Sequence, residues 1–459
     1  MNRWHVLMCL SFAVKPAVAQ DADDLNGVWA TDGYGTVADI QDGFGRLYQM
    51  AGKLCLAERS TPEPLTVLLP GMTLEVAEDG QSLVASFPMD PYKIRAVRIG
   101  SLPKACRHEI PDTPRGNFDA FAGFFEHSYP FFDLHGVDWS ARVAAIRDQV
   151  TEDTDDDQLF ELMSQVMEPL HDGHLALIAD INFEARVFAP HRGRTNTLIR
   201  NKAEAAGLDP KAELEVFRQR LWYNSVGTRI LDGKGHFAGN ERIQYGMVSD
   251  RIGYLALATM GGFGQRDDDP QEQLIVTQEI LDHVMGFFDT EGADALILDL
   301  SLNLGGHDFI AREVASRFAF EPILVYSKFA ADAENPIKTR VIVRPSEGRR
   351  FLGDVTVLTS NVTISAGEIL TLSLRAMPQV QHVGEKTRGA FSSVLTRTLP
   401  NGWELNLSNE TYLDAEGRRW EGRGIEPDTE TLVFSDHAPI KSHAQAVMDL
   451  VARLSLEID

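Results

Sequence analysis

ADALILDL, residues 293–300, is almost continuously apolar. A run that short with no polar face reads as a strand covered on both sides, as in a parallel sheet. The segments around it alternate in kind. Residues 252–257 and 355–359 read as strands. Residues 272–288, 307–318 and 366–377 have apolar side chains at helical spacing. Strands alternating with helices over 250–435 predict an α/β fold with a mainly parallel sheet and crossover helices. Residues 393–398 and 403–407 flank Asn401-Gly402 and read as a hairpin. Residues 437–456 read as a last amphipathic helix.

Working outward, residues 109–185 carry helical periodicity at 118–125, 139–150 and 159–170. The last of these is expected to end at His171-Asp-Gly-His174, where Gly173 would stop it. Residues 24–108 differ. Asp-Gly pairs at 32, 42 and 79 and Pro70-Gly71 separate short strand-like runs such as 65–69, 72–76 and 94–99. That punctuation predicts a small all-β domain. The expected division is a signal peptide over 1–19, a β domain over 20–108, a helical segment over 109–185 and an α/β unit over 186–459.

Residues 1–19 read MNRWHVLMCLSFAVKPAVA, with Arg3 leading, an apolar stretch, and Ala17-Val-Ala19 as a cleavage site. The run is too short to span a bilayer, so export and no membrane span after cleavage are expected. Among 459 residues, 43 are basic and 67 acidic, for a net charge of −24. Loss of Arg3 and Lys15 moves it to −26. Such acidity, with no Lys/Arg cluster in the sequence, excludes nucleic acid and anionic membrane surfaces as partners. It is compatible with a homo-oligomer. Three cysteines become two, Cys55 and Cys106, which either form a disulfide or stand as two buried thiols.

Residues 355–368, VTVLTSNVTISAGE, offer the most chemistry. A strand ends, a turn follows, and Ser365 opens a helix whose N–H groups and dipole would face a developing oxyanion. The Ala366 amide would be one donor. Ser365-Ala-Gly-Glu368 is also S-x-x-E, and most such serines only cap helices. Asn303-Leu-Gly-Gly306 follows the buried strand, and a Gly-Gly turn there can present a second N–H, that of Gly306. Both turns lie at carboxyl ends of parallel strands, where α/β sites form. A serine needs a base, and His174 is a loop histidine among 13 in the chain. The pair His171 and His174 lacks further ligands at metal-binding spacing, so neither metal nor cofactor is expected.

Together these segments resemble the tail-specific (C-terminal processing) serine peptidases, most closely their tricorn-core and interphotoreceptor-retinoid-binding-protein-like branch. The likeness runs from about 118 to 428. It is carried by Tyr129-Pro-Phe-Phe-Asp-Leu, Pro169-Leu-His-Asp-Gly-His174, Asn303-Leu-Gly-Gly306, Thr363-Ile-Ser-Ala-Gly-Glu368, Val383-Gly-Glu-Lys-Thr-Arg-Gly389 and Trp420-Glu-Gly-Arg-Gly-Ile-Glu-Pro-Asp428. The resemblance implies a crotonase/Clp-like core preceded by a helical bundle, and peptide or protein substrates. It implies Ser365 as nucleophile, His174 as base, Glu421 as the acid that orients the base, and Gly306 and Ala366 as oxyanion amides.

Two departures stand out. Relatives with a Ser–Lys dyad carry lysine where this chain has Ala390, and Lys386 is out of register, so Ser–His–Glu is preferred. Tricorn-like sites place a serine directly before the histidine, where this chain has Gly173. Either Glu421 reaches His174 directly or through water, or the relay is incomplete. No PDZ-like segment separates the helical and catalytic parts. Other readings are a hydrophobic-ligand or peptide carrier on the same fold, and a serine esterase, although G-x-S-x-G is absent.

Overall fold

The computed structural model describes residues 22–458 apart from 60, 88, 267 and 268. The proposed signal peptide lies outside the described residues.

The run 293–300 supplies Ala295–Asp299, every residue of which is buried. It lies in a seven-stranded sheet with His236–Ala238, Ile243–Met247, Ile252–Leu257, Asp354–Thr359, Val380–Gly384 and Thr429–Glu430. Pairing is antiparallel among the first three strands in sheet order and parallel from Ile252–Leu257 onward. The two-residue period of a strand divides its side chains between two cores. Leu296 and Leu298 join Leu255, Leu257, Val355 and Val357 under helices Pro270–Glu291, Asp308–Ser316 and Ala366–Arg375. Ile297 turns the other way, with Ile252, Tyr254 and Leu358, against Val447 and Leu450 of the C-terminal helix Pro439–Ile458. Each such side chain taken from water contributes about 1.5–3 kcal/mol.

The helical segment holds Pro114–Ser128, Trp139–Arg147 and Asp156–Met167, each opened by a capping side chain: Thr113, Asp138 and Asp155. Its interior is aromatic. Phe121 and Phe125 meet Trp139, with ring centroids 5.9 and 4.5 Å apart. Asp156–Met167 stops before Leu170, at the Glu168 C-cap. Gly173 therefore does not end it; His171–His174 belong to the separate turn leading into strand Ala176–Ile181.

That strand forms a second sheet, in the order Glu184–Phe188, Ala176–Ile181, Glu404–Ser408, Val394–Thr398. The hairpin around Asn401-Gly402 thus pairs with the strand that begins two residues after His174. This register carries the histidine from the helical segment to the α/β unit.

Residues 27–99 fold into an antiparallel sheet of eight strands. The run at 65–69 is a short helix, Leu65–Leu68, where a strand was expected. Pro64 precedes it at φ −55°, a torsion that starts a helical turn as readily as it continues a strand. Cys55 and Cys106 are joined by a disulfide, with Cα atoms 4.8 Å apart. Residues 194–247 contribute helices Arg194–Ala205 and Pro210–Arg220, a π-helix Leu221–Ile230 and two strands. The β sheet docks on the α/β unit through polar contacts. Asp32 accepts the N–H groups of Glu334 and Asn335 at 2.9 and 3.1 Å, and Gln49 accepts that of Thr398 at 2.9 Å. No described helix is long and apolar enough to cross a membrane.

Candidate active site

Strand Asp354–Thr359 ends, and the chain turns through 360–364 before the helix Ala366–Arg375. Ser365 sits at its N-cap with φ 59° and ψ −128°. That is left-handed backbone in a non-glycine residue, which costs on the order of 1–3 kcal/mol and persists only where surrounding contacts impose it. Three contacts do so. The Ser365 N–H donates to the Ala390 carbonyl at 3.0 Å and to Glu368 at 3.2 Å, and the Ile364 N–H donates to the Asn303 carbonyl at 3.2 Å. The S-x-x-E capping box is formed.

Glu368 does more than cap. Fully buried, its carboxylate also accepts the N–H groups of Gly389 and Ala390 at 2.7 and 2.8 Å. One side chain thereby ties the Ser365 turn to the 387–391 loop. Burial pushes its carboxyl up to about 7, against the opposing pull of Thr387, these amides and Arg388.

The Asn303–Gly306 turn lies directly against Ser365. Asn303, also fully buried, donates to the Leu257 carbonyl and accepts the Gly305 N–H, at 2.9 and 3.0 Å. Gly305 has φ +80°, and a Cβ there would come within 2.5 Å of Ser365 Cβ and 3.1 Å of its Oγ. Gly306 bridges to Met260 through the Gly305 carbonyl and the His307 N–H, a pattern that does not use its own N–H. The Ala366 N–H, first in its helix, is one of those no helical turn can satisfy. Gly305→Ala is accordingly expected to displace Ser365 by several tenths of an ångström or more and to lower kcat/KM about 100-fold. Retention of more than half the wild-type value would show that the two turns do not share a site.

His174 approaches from the other side. Its N–H donates to Asp172 Oδ1 at 2.8 Å, and Asp172 is held in turn by the Tyr129 hydroxyl at 3.1 Å. Gly173 packs on the Ser365 turn, where a Cβ would meet Ile364 Cδ1 and Ala390 Cβ, each at 3.1 Å. A serine there would require those neighbours to give by a few tenths of an ångström. Burial lowers the imidazole pKa, Arg388 lowers it further, and Asp172, Asp308 and the Ser392 backbone oppose the shift. Nδ1 is buried with no hydrogen-bond partner among the described residues.

Glu421 is buried beside this group, and its carboxylate accepts the N–H groups of Phe391 at 3.1 Å and Ser392 at 2.9 Å. Among the described residues no hydrogen bond joins it to His174; the two meet at the backbone of Ser392. Burial raises its carboxyl well above the ordinary value, and the neighbouring Asp172 and Glu368 raise it further. Ala390 is buried and Lys386 exposed. Among the described residues no group of three or more His, Cys, Asp or Glu is placed to hold a metal ion.

Residues 251–431 match the profile of peptidase family S41. The matched stretch is under half of the chain. It contains Gly306, Ser365, Ala366 and Glu421, while His174 lies upstream of it. The chloroplastic carboxyl-terminal-processing peptidase 1 of Arabidopsis thaliana is 24% identical over 241 residues, 52% of this chain and 43% of the relative. The chain spans less than half the length of the curated relatives it matches. A candidate peptidase from Parabacteroides merdae ATCC 43184 superposes with a TM-score of 0.58 at 23% identity, covering 75% of this chain and 97% of that one. Mature CPAF complexed with lactacystin gives 0.54 at 12% identity, covering 75% and 98%. At these identities the likeness is one of fold.

The turn holding Asn303 and Gly305 was legible in the sequence, but the buried partners of Asn303 and the parts played by Asp172 and Ser392 were not. Asn303 carries the one usable signal: a polar residue between two leucines just after a buried strand must find partners inside. Asp172 and Ser392 owe their place to Tyr129 and Glu421, 43 and 29 residues away.

Proposed function

We propose that the chain is a serine-type peptidase of the tail-specific kind, hydrolysing peptide bonds through an acyl-enzyme on Ser365. The observation that carries this reading is the left-handed backbone of Ser365 at a strand–helix turn, face to face with Gly305. Strain of this sort gathers where a side chain must be aimed.

In this reading Ser365 Oγ attacks the substrate carbonyl while His174 takes its proton. The oxyanion accepts the N–H groups of Gly306 and Ala366. Collapse of the tetrahedral intermediate breaks the C–N bond, and His174 returns the proton to the leaving amine. A water, deprotonated by the same histidine, then releases the acid. Glu421 acts through the main chain: it holds residues 391–392, against which the imidazole rests. With Ala390 at the lysine position, no Ser–Lys dyad forms.

Incubation with a fluorophosphonate should label Ser365 stoichiometrically, and Ser365→Ala should abolish the labelling. Absence of labelling together with no hydrolysis of denatured protein would overturn the reading. Parallel assays on peptides and short-chain esters separate a peptidase from an esterase. Export is part of the proposal, supported by the leader-like residues 1–19 and by the disulfide, a bond typical of oxidising compartments.

A further inference from the structure

Strand Glu410–Asp414 pairs with strand Ile323–Ala330, and the register sets Tyr412 directly opposite Lys328. Residues so opposed share a face of the sheet. Both side chains are buried, and Lys328 Nζ donates to the Tyr412 hydroxyl at 3.0 Å. Three carboxylates surround the ammonium: Asp308 and Glu410 at 3.6 Å and Asp90 at 3.8 Å. Burial works against the charge, yet Glu410, Asp308 and Asp90 hold its pKa above the ordinary value. An ammonium only donates, so the phenol oxygen accepts from Lys328. Its single proton goes to Asp308 Oδ2, at 2.8 Å, and not to Glu410 Oε2, at 3.4 Å. The other lone pair is left for the Ser393 hydroxyl, at 3.1 Å. Burial, and then Asp308 and Glu410, push the phenol well above its ordinary value, so its proton stays in place.

The two partners of that hydroxyl belong to two parts of the candidate site. Asp308 opens the helix that follows Gly306 and His307. Ser393 follows Ser392, whose N–H Glu421 accepts and whose backbone meets His174. Ser392 Oγ accepts the N–H groups of Asn409 and Glu410 at 2.8 and 2.9 Å, which ties the same segment to the start of the Tyr412 strand. The β domain closes the group from outside. The Tyr34 hydroxyl donates to Glu410 Oε1 at 2.6 Å, and the Tyr92 ring lies 4.6 Å from Lys328 Nζ. Asp90 also faces Arg312, on the helix that Asp308 opens, at 3.8 Å. A buried polar group with every member partnered fixes its elements in one arrangement.

We propose that the Tyr412 hydroxyl, fixed by Lys328, is a positioning group that clamps the Gly306 turn to the segment 391–393, and that the β domain completes this clamp through Asp90 and Tyr34. The clamp rests on the peptidase reading only for the reaction it serves.

The test uses the full chain and Tyr412→Phe, which keeps the ring and deletes only the hydroxyl. Hydrogen–deuterium exchange read by mass spectrometry should rise about tenfold in peptides covering 303–308 and 391–393, as expected when a buried hub of hydrogen bonds is removed. It should stay level in the strands 295–299 and 354–359. With fluorescein-labelled casein as substrate, kcat should fall about 10- to 100-fold while KM stays within about twofold, a split that lost stability alone does not produce. Tyr34→Phe should lower kcat about threefold. Should Tyr412→Phe not fold, Ser393→Ala decides: exchange should rise over 391–393 and not over 303–308, with kcat again lowered. Unchanged exchange over 391–393 in these variants, or an unchanged kcat where the parent protein hydrolyses casein, overturns the clamp. An unchanged kcat in Tyr34→Phe alone removes the β domain from it. Fluorophosphonate labelling of the unmutated protein reports separately on the peptidase reading, and exchange reads the clamp whichever way that labelling falls.

Discussion

Replacement of His174 by alanine is expected to reduce peptide hydrolysis as severely as replacement of Ser365, on the order of 10⁴- to 10⁶-fold. The double variant should be no worse than either single one, because serine and base act as one unit. The protein should remain folded, since His174 is linked to its surroundings chiefly through its backbone N–H to Asp172. The same assignment fixes a pH dependence. A general base works when neutral, and burial holds this imidazole below its ordinary value of 6.5. Activity should therefore persist into mildly acidic solution, with the acid limb of kcat/KM centred below pH 6.5. A His174→Ala protein retaining a tenth of wild-type activity, or a limb above 6.5, would mean that another group takes the proton.

The second large effect is on stability and comes from a set of residues that imitates a catalytic site. Ser225 Oγ lies 2.8 Å from His443 Nδ1, and His443 Nε2 lies 2.8 Å from Asp299 Oδ2. The spacing is that of a Ser–His–Asp triad, but all three are buried and Ser225 also donates to the Ile440 carbonyl at 3.2 Å. Asp299 ends the central strand Ala295–Asp299 and accepts the Tyr254 hydroxyl at 2.5 Å and the Ser301 N–H at 2.8 Å. The group therefore ties the C-terminal helix to the middle of the sheet. Burial alone would raise the Asp299 carboxyl, yet His443, Ser301 and Tyr254 draw it below the usual carboxylate range. His443→Ala leaves that charge buried and short of a partner, and should cost about 3–5 kcal/mol in denaturant unfolding. Ser225→Ala should leave hydrolysis unchanged, and its loss there would move the nucleophile away from Ser365. A lowered carboxyl stabilises above the ordinary value of 3.8 and ceases to as pH falls through the lowered one. The Asp299 contribution should thus vanish only in strongly acidic solution.

Much of the scaffold is local information. ALILD had to be a buried strand because no face of it is polar, and Ser365-Ala-Gly-Glu368 had to open a helix because its caps are adjacent in sequence. The Gly-Gly turn at 305–306 was legible for the same reason. The short runs of the β sheet were harder, as Leu65–Leu68 shows, since four apolar residues fit a helical turn as well as a strand. Helices Arg194–Ala205 and Pro210–Arg220 bury few side chains, so their apolar period is faint in the sequence.

What the sequence determined by itself, then, was the kind of fold and the two turns that carry Ser365, Ala366 and Gly306, while the choice of His174 and Glu421 came from the family resemblance. Only the tertiary structure decided which segments lie beside those residues. It pairs Ala176–Ile181 with Glu404–Ser408, which carries His174 toward the Ser365 turn. It gives Glu421 to the amides of Phe391 and Ser392. The physical reason is range. Strand period and capping are set by neighbours along the chain, whereas hydrogen-bond partners and desolvation are set by segments that the sequence keeps hundreds of residues apart.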